Sequence, residues 1–466
     1  MSETYSRVGS ILIKKEVTAN VPVIPDVSLP FNDEGISDDY GYTPSVPISS
    51  NRAVNQRAIC NKIAAPVGPI SLNIEPKTFG HILNGLVGGL LSGTHVPVSS
   101  VVGTFDTTNV VTFVGSGATA TPVFVGDDFI IFGPITGSPE VSDTLSQAVS
   151  SATSAVDAFS ALAFGHAGKL PAEVLTTYSL QKNYSDRAIR YMGVKFNAID
   201  AFAQSDNIMT AGVQIIAQSA FRHGRVTAIT SSSAGSQTIS VDQTQGLVAA
   251  DSIKLYRPGT GFIDFSAASV KTHTIDAITN STSFTITNLE TSTAVGDLIL
   301  LAPQTASYVI ADEFCWVGGS QAYVGVDKDN LSTADLEDYT MVVTNEFEER
   351  HTARGKNLAD RFPSAILQKG LTGGGSMTLA NENEDFYKNV RLNTSQAIKI
   401  VTESEEIATG INYKLEVIFA EAQYDQYQLP LAQDDVVNEE VPFTSFYDSK
   451  NGYSIQVLLV NTISSY

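Results

Sequence analysis

Cysteine is nearly missing from this chain of 466 residues: Cys60 and Cys315 are the only two, and they stand far apart. Neither belongs to a CxxC or other metal-ligand spacing, so a disulfide framework and a thiolate zinc site are both excluded as organising principles. The two thiols read as separate, buried apolar side chains. Basic residues are scarce, 28 against 49 acids for a formal net charge of −21, and the longest basic run is the pair Lys14-Lys15. Gripping a phosphate backbone takes clustered Lys and Arg, so the composition argues against a nucleic-acid-binding enzyme. No apolar run approaches the ~20 residues of a membrane span. The opening Met1-Ser-Glu-Thr-Tyr-Ser6 lacks the basic stretch and apolar core of a secretory signal, which predicts a protein made in the cytosol without a membrane anchor.

Catalytic signatures are missing too. There is no Gly-x-Ser-x-Gly elbow, P-loop, dinucleotide fingerprint or His-Glu-x-x-His. The histidines at 81, 95, 166, 223, 273 and 351 share no metal-ligand spacing and read as surface or turn residues. Asp327-Lys-Asp-Asn-Leu-Ser-Thr-Ala-Asp335 comes nearest to a calcium loop, but Leu331 interrupts the alternation of oxygens and the turn glycine is absent. The pairs Glu348-Glu349 and Glu405-Glu406 adjoin polar turns or other charges, where solvation is the simpler reading. The expectation is a chain with no catalytic residues, no cofactor and no metal.

What is present is a motif written twice. Gly68-Pro-Ile-Ser-Leu-Asn-Ile-Glu-Pro-Lys-Thr-Phe79 and Gly375-Ser-Met-Thr-Leu-Ala-Asn-Glu-Asn-Glu-Asp-Phe386 both read as glycine, short strand, polar break and helix start. Gly68 falls on Gly375, Ile70 on Met377, Leu72 on Leu379 and Phe79 on Phe386, a constant spacing of 307 residues (386 − 79). After the first copy, Phe79, Ile82, Leu83, Leu86, Val87 and Leu90 recur at helical spacing, and Gly88-Gly89 lets the chain turn out. This stripe suits packing on the helix's own sheet, and it is also a candidate subunit interface.

The rest of the chain divides around these copies. Residues 1–60 hold Pro22, Pro25, Pro30, Pro44 and Pro47 around an acidic stretch, which predicts an extended arm, since proline removes donors and fixes φ. Residues 61–221 form a first unit with a β-rich insertion at about 98–165, where helix and strand are not separable over 140–165. Within it, 175–178, 189–199 and 208–217 read as strands, with a turn at Lys182-Asn-Tyr-Ser-Asp186. A Ser/Thr-rich segment at 222–304 reads as an inserted small β domain, and 305–466 as a second unit. Three strands there and in the first insertion begin after a small residue and an aspartate, at Gly126-Asp127, Ala250-Asp251 and Gly296-Asp297. Such a step makes a tight turn whose carboxylate bonds nearby amides. In the second unit, 398–402 and 413–419 read as strands around Glu403-Ser-Glu-Glu406, and Ile455, Val457 and Leu459 alternate in a last strand.

The stretch from Gly68 through Gly88 resembles the strand and helix of tail tube proteins of long-tailed bacteriophages. Tyr191-Met-Gly-Val-Lys-Phe-Asn-Ala-Ile-Asp200, Gly370-Leu-Thr-Gly-Gly-Gly-Ser-Met-Thr-Leu379, Asp385-Phe-Tyr387 and Pro442 to Asn461 continue the resemblance in the family's order, over about two thirds of the chain. It implies a mainly β fold: two tandem β-sandwich or barrel units, each with a flanking helix, plus the inserted β domain. It further implies stacked rings of three chains around a channel for double-stranded DNA that is not specifically bound, with other tail proteins as neighbours and the virion tail as location. An acidic wall lets DNA slide where a basic one would hold it. Asp186 and Glu405 are then candidate ring-to-ring hairpin tips, and Glu416 and Glu421 candidate lumen acids. A capsid or decoration protein and a secreted carbohydrate-binding adhesin remain open as alternatives.

Overall fold

The computed structural model describes residues 9–37, 44–45, 57–58, 63–172, 174–203, 208–263, 272–289, 291–306, 311–352, 361–380, 385–425 and 438–466. Among these the protein is mainly β, with two short helices. In chain order the elements that matter here are β1 (Ser10–Lys15), β2 (Val67–Asn73), α1 (Phe79–Leu86), β3 (Leu91–Val102), β4 (Phe129–Phe132), β5 (Phe164–Leu170), β6 (Tyr178–Asn183), β7 (Ala188–Ala203) and β8 (Thr210–Ile216). They continue with β9 (Ser320–Gly325), β10 (Leu336–Arg350), β11 (Ala365–Ala380), α2 (Asp385–Leu392), β12 (Gln396–Ala408), β13 (Ile411–Tyr424), β14 (Asn438–Phe446) and β15 (Ile455–Asn461).

Lateral order follows from antiparallel hairpins. In the first half β1 pairs with β6, β6 with β7, β7 with β8 and β8 with β2. In the second half β9 pairs with β12, β12 with β13, β13 with β14 and β14 with β11. Ala198–Ala203 of β7 pair with Thr344–Tyr339 of β10, which joins the two halves. One large core runs beneath both, from Ile11, Ile70, Phe79 and Phe196 to Met377, Ile398, Phe419 and Phe443. The alternation expected of half-buried strands is plain in β8, where every second side chain from Ala211 to Ile215 is buried.

Gly68 and Gly375 have a shared reason to be glycine. A Cβ on Gly68 would stand 2.4 Å from the carbonyl oxygen of Gly35, and one on Gly375 would stand 2.0 Å from that of Thr340. In each case the neighbouring backbone fills the space a side chain would need.

The N-terminal stretch differs from the arm expected of it. Ile11, Leu12 and Ile13 are at most 1% exposed, because β1 adds to β6 and pairs with Val27–Leu29. Residues 1–8, 38–43, 46–56 and 59–62 of that stretch lie outside the described residues. α1 ends at Leu86, earlier than its apolar stripe, and Leu90 follows a turn in which Gly88 takes a φ of +76°. The Asn84 side chain steadies that exit by accepting the Leu90 amide at 2.9 Å. The ambiguous 140–165 region resolves into strands Thr144–Gln147 and Ala152–Val156, which share a separate core with Val96, Phe113 and Phe132. Residues 224–301 likewise gather around Phe221, Ile253, Phe284 and Ile299.

Two of the three aspartate turns form as expected. Asp251 accepts the Val248 amide at 2.7 Å and Asp297 the Ala294 amide at 2.8 Å, with Ala250 and Gly296 at positive φ just before them. A third instance escaped the sequence reading: Asp143 accepts the Glu140 amide at 3.0 Å after Ser142 at φ +95°. Asp127, by contrast, is held by Lys328 at 2.8 Å.

Candidate functional site

The helix stripe is consumed inside the chain. Phe79, Ile82, Leu83, Leu86 and Val87 are at most 3% exposed and Leu90 packs partly buried against the same core, so none of them presents a free subunit interface. Asp186 does sit in the β6–β7 turn, but its carbonyl oxygen accepts Lys254 Nζ at 2.7 Å, which ties the tip to the strands of 222–304. Glu405 is exposed within β12, and the β12–β13 turn falls at Thr409-Gly410 instead. The charged run 403–406 continues the strand because its register against β13 runs on to Ala408, paired with Ile411.

Of the two candidate lumen acids, Glu421 is half-buried on β13. Glu416 is 1% exposed, with Lys414 Nζ at 2.9 Å and Lys399 Nζ at 3.2 Å. Its carboxylate is neutralised within the chain and does not line an open surface. Asp128, brought by the strand turn before β4, stands 3.8 Å from Lys414 and 4.0 Å from Lys399. Burial pushes Asp128 up, but Lys414 and Lys399 outweigh it and hold the carboxyl below its ordinary value. Burial likewise pulls Lys414 down, and Glu416 and Asp128 reverse that and keep its ammonium above its ordinary value. Asp128, Lys399 and Lys414 floor a cleft of about 820 Å³ between the turn at Asp127-Asp128 and strands β9, β12 and β13, with Ser320, Tyr323 and Lys328 on its walls. Its cations already have carboxylate partners, so its chemistry is that of a clamp between two parts of the chain.

A stronger clamp was not foreseen. Arg190 on β7 and Asp251 at the aspartate turn are both fully buried and joined by two hydrogen bonds of 2.7 and 2.8 Å. The guanidinium also donates to Gln181 Oε1 at 2.9 Å and to the Gly246 carbonyl at 3.0 Å. The only sequence signal is an arginine set in an apolar strand run, Ala188-Ile-Arg-Tyr-Met192, opposite an aspartate turn.

Two histidines read as surface residues are interior. His166 is fully buried, with Nδ1 2.8 Å from Ser92 Oγ and Nε2 3.1 Å from Asn461 Oδ1, and burial lowers it to about 4. His95 stacks on Phe129, and burial, followed by the charge of Lys414, lowers it to about 3. In the loop resembling a calcium site, Asp327 accepts the Asp329 amide at 3.0 Å and Asp329 pairs with Lys328 at 2.6 Å. Among the described residues no group of three or more His, Cys, Asp or Glu side chains is placed to hold a metal. Cys315 is a free thiol and is exposed where a buried one was expected, and Cys60 lies outside the described residues. No described helix is long and apolar enough to cross a membrane.

The remaining candidate is a sheet edge. Gly35 and Ser37 donate their amides to Pro69 and Val67 of β2 at 2.9 and 3.0 Å. Alternate amides of a strand point to opposite edges. Those of Glu34 and Ile36 accordingly face away from β2, where they bond to the carboxylates of Asp33 at 2.8 Å and Glu34 at 3.1 Å. Among the described residues no strand pairs with this edge; acidic side chains occupy it, and that of Glu34 is also ion-paired to Lys182 Nζ.

No protein-family model matches this chain, and a search of curated proteins finds no match.

Proposed function

We propose that this chain is a structural virion protein that polymerises into stacked rings of three copies, the tail tube of a long-tailed bacteriophage and its conduit for ejected DNA. The observation that carries the reading is a strand ladder that occurs twice in the same register. Tyr178 pairs with Val194 and Leu180 with Tyr191 across a bulge. Gln396 pairs with Ala422 and Ile398 with Phe419 across a bulge in the same place. Further along, Ile215 meets Phe196 and Gly68, as Phe443 meets Tyr424 and Gly375. Outside this ladder, β1 returns on Val27–Leu29 as β9 returns on Leu331–Ala334. A helix of eight residues follows β2 and another follows β11 in both settings.

These matches support two tandem tail-tube-like units, 61–221 and 305–466, with β insertions at about 98–165 and 222–304. Strand pairing of this kind suits a wall built from edge-to-edge sheets. Two units per chain and three chains per ring give six near-equivalent sectors, a heterologous contact that closes on itself. The net charge of −21 keeps the wall from gripping DNA. Other tail proteins cap the tube, and the protein is made in the host bacterial cytoplasm before joining the virion tail. Negative-stain electron microscopy of the purified chain over a range of concentration and salt tests this. Hollow tubes or rings with threefold or pseudo-sixfold symmetry are expected, whereas closed shells or glycan-dependent clustering would overturn it.

A further inference from the structure

We infer that an open groove beside Phe446 and Tyr447 in the second half is covered by the first half of a second copy of this chain. This rests on the ring reading above and names the contact that would close the ring.

The two ladders locate the groove. Ile215 meets Gly68 as Phe443 meets Gly375. Counted along the strands from these rungs, Ile216 and Gln218 stand where Thr444 and Phe446 stand, and Ile63 and Ala65 where Gly370 and Thr372 stand. In the first half all four positions lie under the far end of the β10–β11 hairpin. Ile366 of β11 packs against Ala65 and Ile216, and all three are at most 8% exposed. Gln218 Nε2 donates to the carbonyls of Pro363 and Ser364 at 3.2 and 2.9 Å, and the Ile63 amide to that of Arg361 at 3.2 Å. Lys195 of β7 donates to the Ile366 carbonyl at 2.9 Å. A hairpin from one half thus seals the end of the other half's sheet.

In the second half the matching positions, Gly370, Thr372, Thr444 and Phe446, line a groove of about 610 Å³ that is open. Tyr447 shares its wall, and the two aromatic side chains are 45% and 55% exposed. Adjacent half-exposed rings are what an interface buries. Its one charged lining residue, Lys369, is ion-paired with Glu348 at 2.8 Å, and among the described residues no acid lines it. Two copies of net charge −21 can meet at such a place without setting like charges face to face.

The first half has the hairpin to fill it. Gly35 and Ser37 bond to Pro69 and Val67, which sets Ile36 opposite Gly68 as Met341 is opposite Gly375. Further along, Pro44 pairs with Ala58 where Glu349 pairs with Ile366. Each chain therefore holds one seat filled by its own second half and one seat whose equivalent cover comes from the first half of the next copy, a head-to-tail contact that repeats the internal one.

Hydroxyl-radical labelling of dilute and assembled protein reads the groove directly. Phe446 and Tyr447 should lose their labelling on assembly, while Val295, 60% exposed on the 222–304 segment, keeps it. Phe446→Ala should raise the concentration needed for assembly by about tenfold or more. With Cys60→Ser and Cys315→Ser in place, Ala58→Cys together with Thr372→Cys should give disulfide-linked trimers on oxidation. Assemblies in which Phe446 and Tyr447 label as in the dilute chain, or paired cysteines that join no chains, overturn the groove assignment and leave the tube reading standing. A parent chain that never self-associates overturns both.

Discussion

The two helices hold the same place in the strand order and face opposite surroundings. α1 packs on β7 and α2 on β13, so each sits on the second strand of a hairpin. α1 is sealed: Gly80 lies under the Tyr466 ring, Gly85 under Phe196, and Leu83 is 1% exposed. α2 presents Lys388, Arg391 and a 62% exposed Leu392 to the outside. The lesson is that a shared ladder fixes where a helix goes, while the material added around it decides what the helix is made of. Around α1 that material is Tyr466 and Phe196; elsewhere in the first half, residues 224–301 are joined to β7 through a buried charged pair, Arg190 and Asp251.

Breaking that join should have the largest effect. At the rung where β7 carries Arg190, opposite Gln181, β13 carries Ile418, opposite Lys399. Making the first half resemble the second with Arg190→Ile strands Asp251 in the interior and should cost about 3–5 kcal/mol in chemical denaturation. Adding Asp251→Asn should return part of it. A single-variant loss below about 1 kcal/mol would show that residues 224–301 are held elsewhere.

The helices themselves give the next contrast. Leu83→Ala in α1 opens a cavity in the shared core and should cost about 2–5 kcal/mol. Val390→Ala in the partly buried α2 should stay under about 1 kcal/mol. Equal losses in thermal unfolding would mean that α2 is covered as thoroughly as α1.

Acid sharpens the comparison with a smaller, graded effect. Burial holds His166 at about 4 and His95 at about 3 against an ordinary 6.5. Both belong to first-half strands, β5 and β3. Below pH 6.5 the unfolded chain binds protons that these buried rings refuse, so their contribution is full above that pH and is lost as the pH falls. For His166 the loss reaches roughly 3 kcal/mol by pH 4. His166→Gln should flatten the pH dependence of stability over that interval, and an unchanged slope would assign acid sensitivity to other groups.

Much of this architecture was legible in the chain. The doubled glycine-strand-helix motif marked both copies, and apolar spacing placed α1 and β8. The aspartate turns were visible because a small residue before Asp reports a backbone turn that is purely local. Long-range partners were not. Prolines near β1 disguised a strand whose neighbour lies far along the chain, since the segment itself records no partner. The Glu403–Glu406 run looked like a turn because an exposed strand extension tolerates charge as readily as a loop does. Glu416 looked available for a channel until Lys399 and Lys414 were found on either side of it. Of the candidate surface, the rungs at Gly68 and Gly375 were legible, but the capped edge at Glu34 and Ile36 emerges only when the two ladders are laid side by side.

The position of β15 carries a consequence for how this chain comes into being. It lies between β13 and β5, and its rungs run from Ile455 with Leu170 to Asn461 with Phe164. Hairpins such as β6–β7 and β12–β13 can close as soon as they leave the ribosome, because both strands emerge together. β5 has to wait until nearly 300 further residues have been translated, and contacts of such long separation form slowly. During that interval the nascent chain exposes one apolar strand edge, a period in which a chaperone, or restraint from neighbouring copies, decides between folding and premature association.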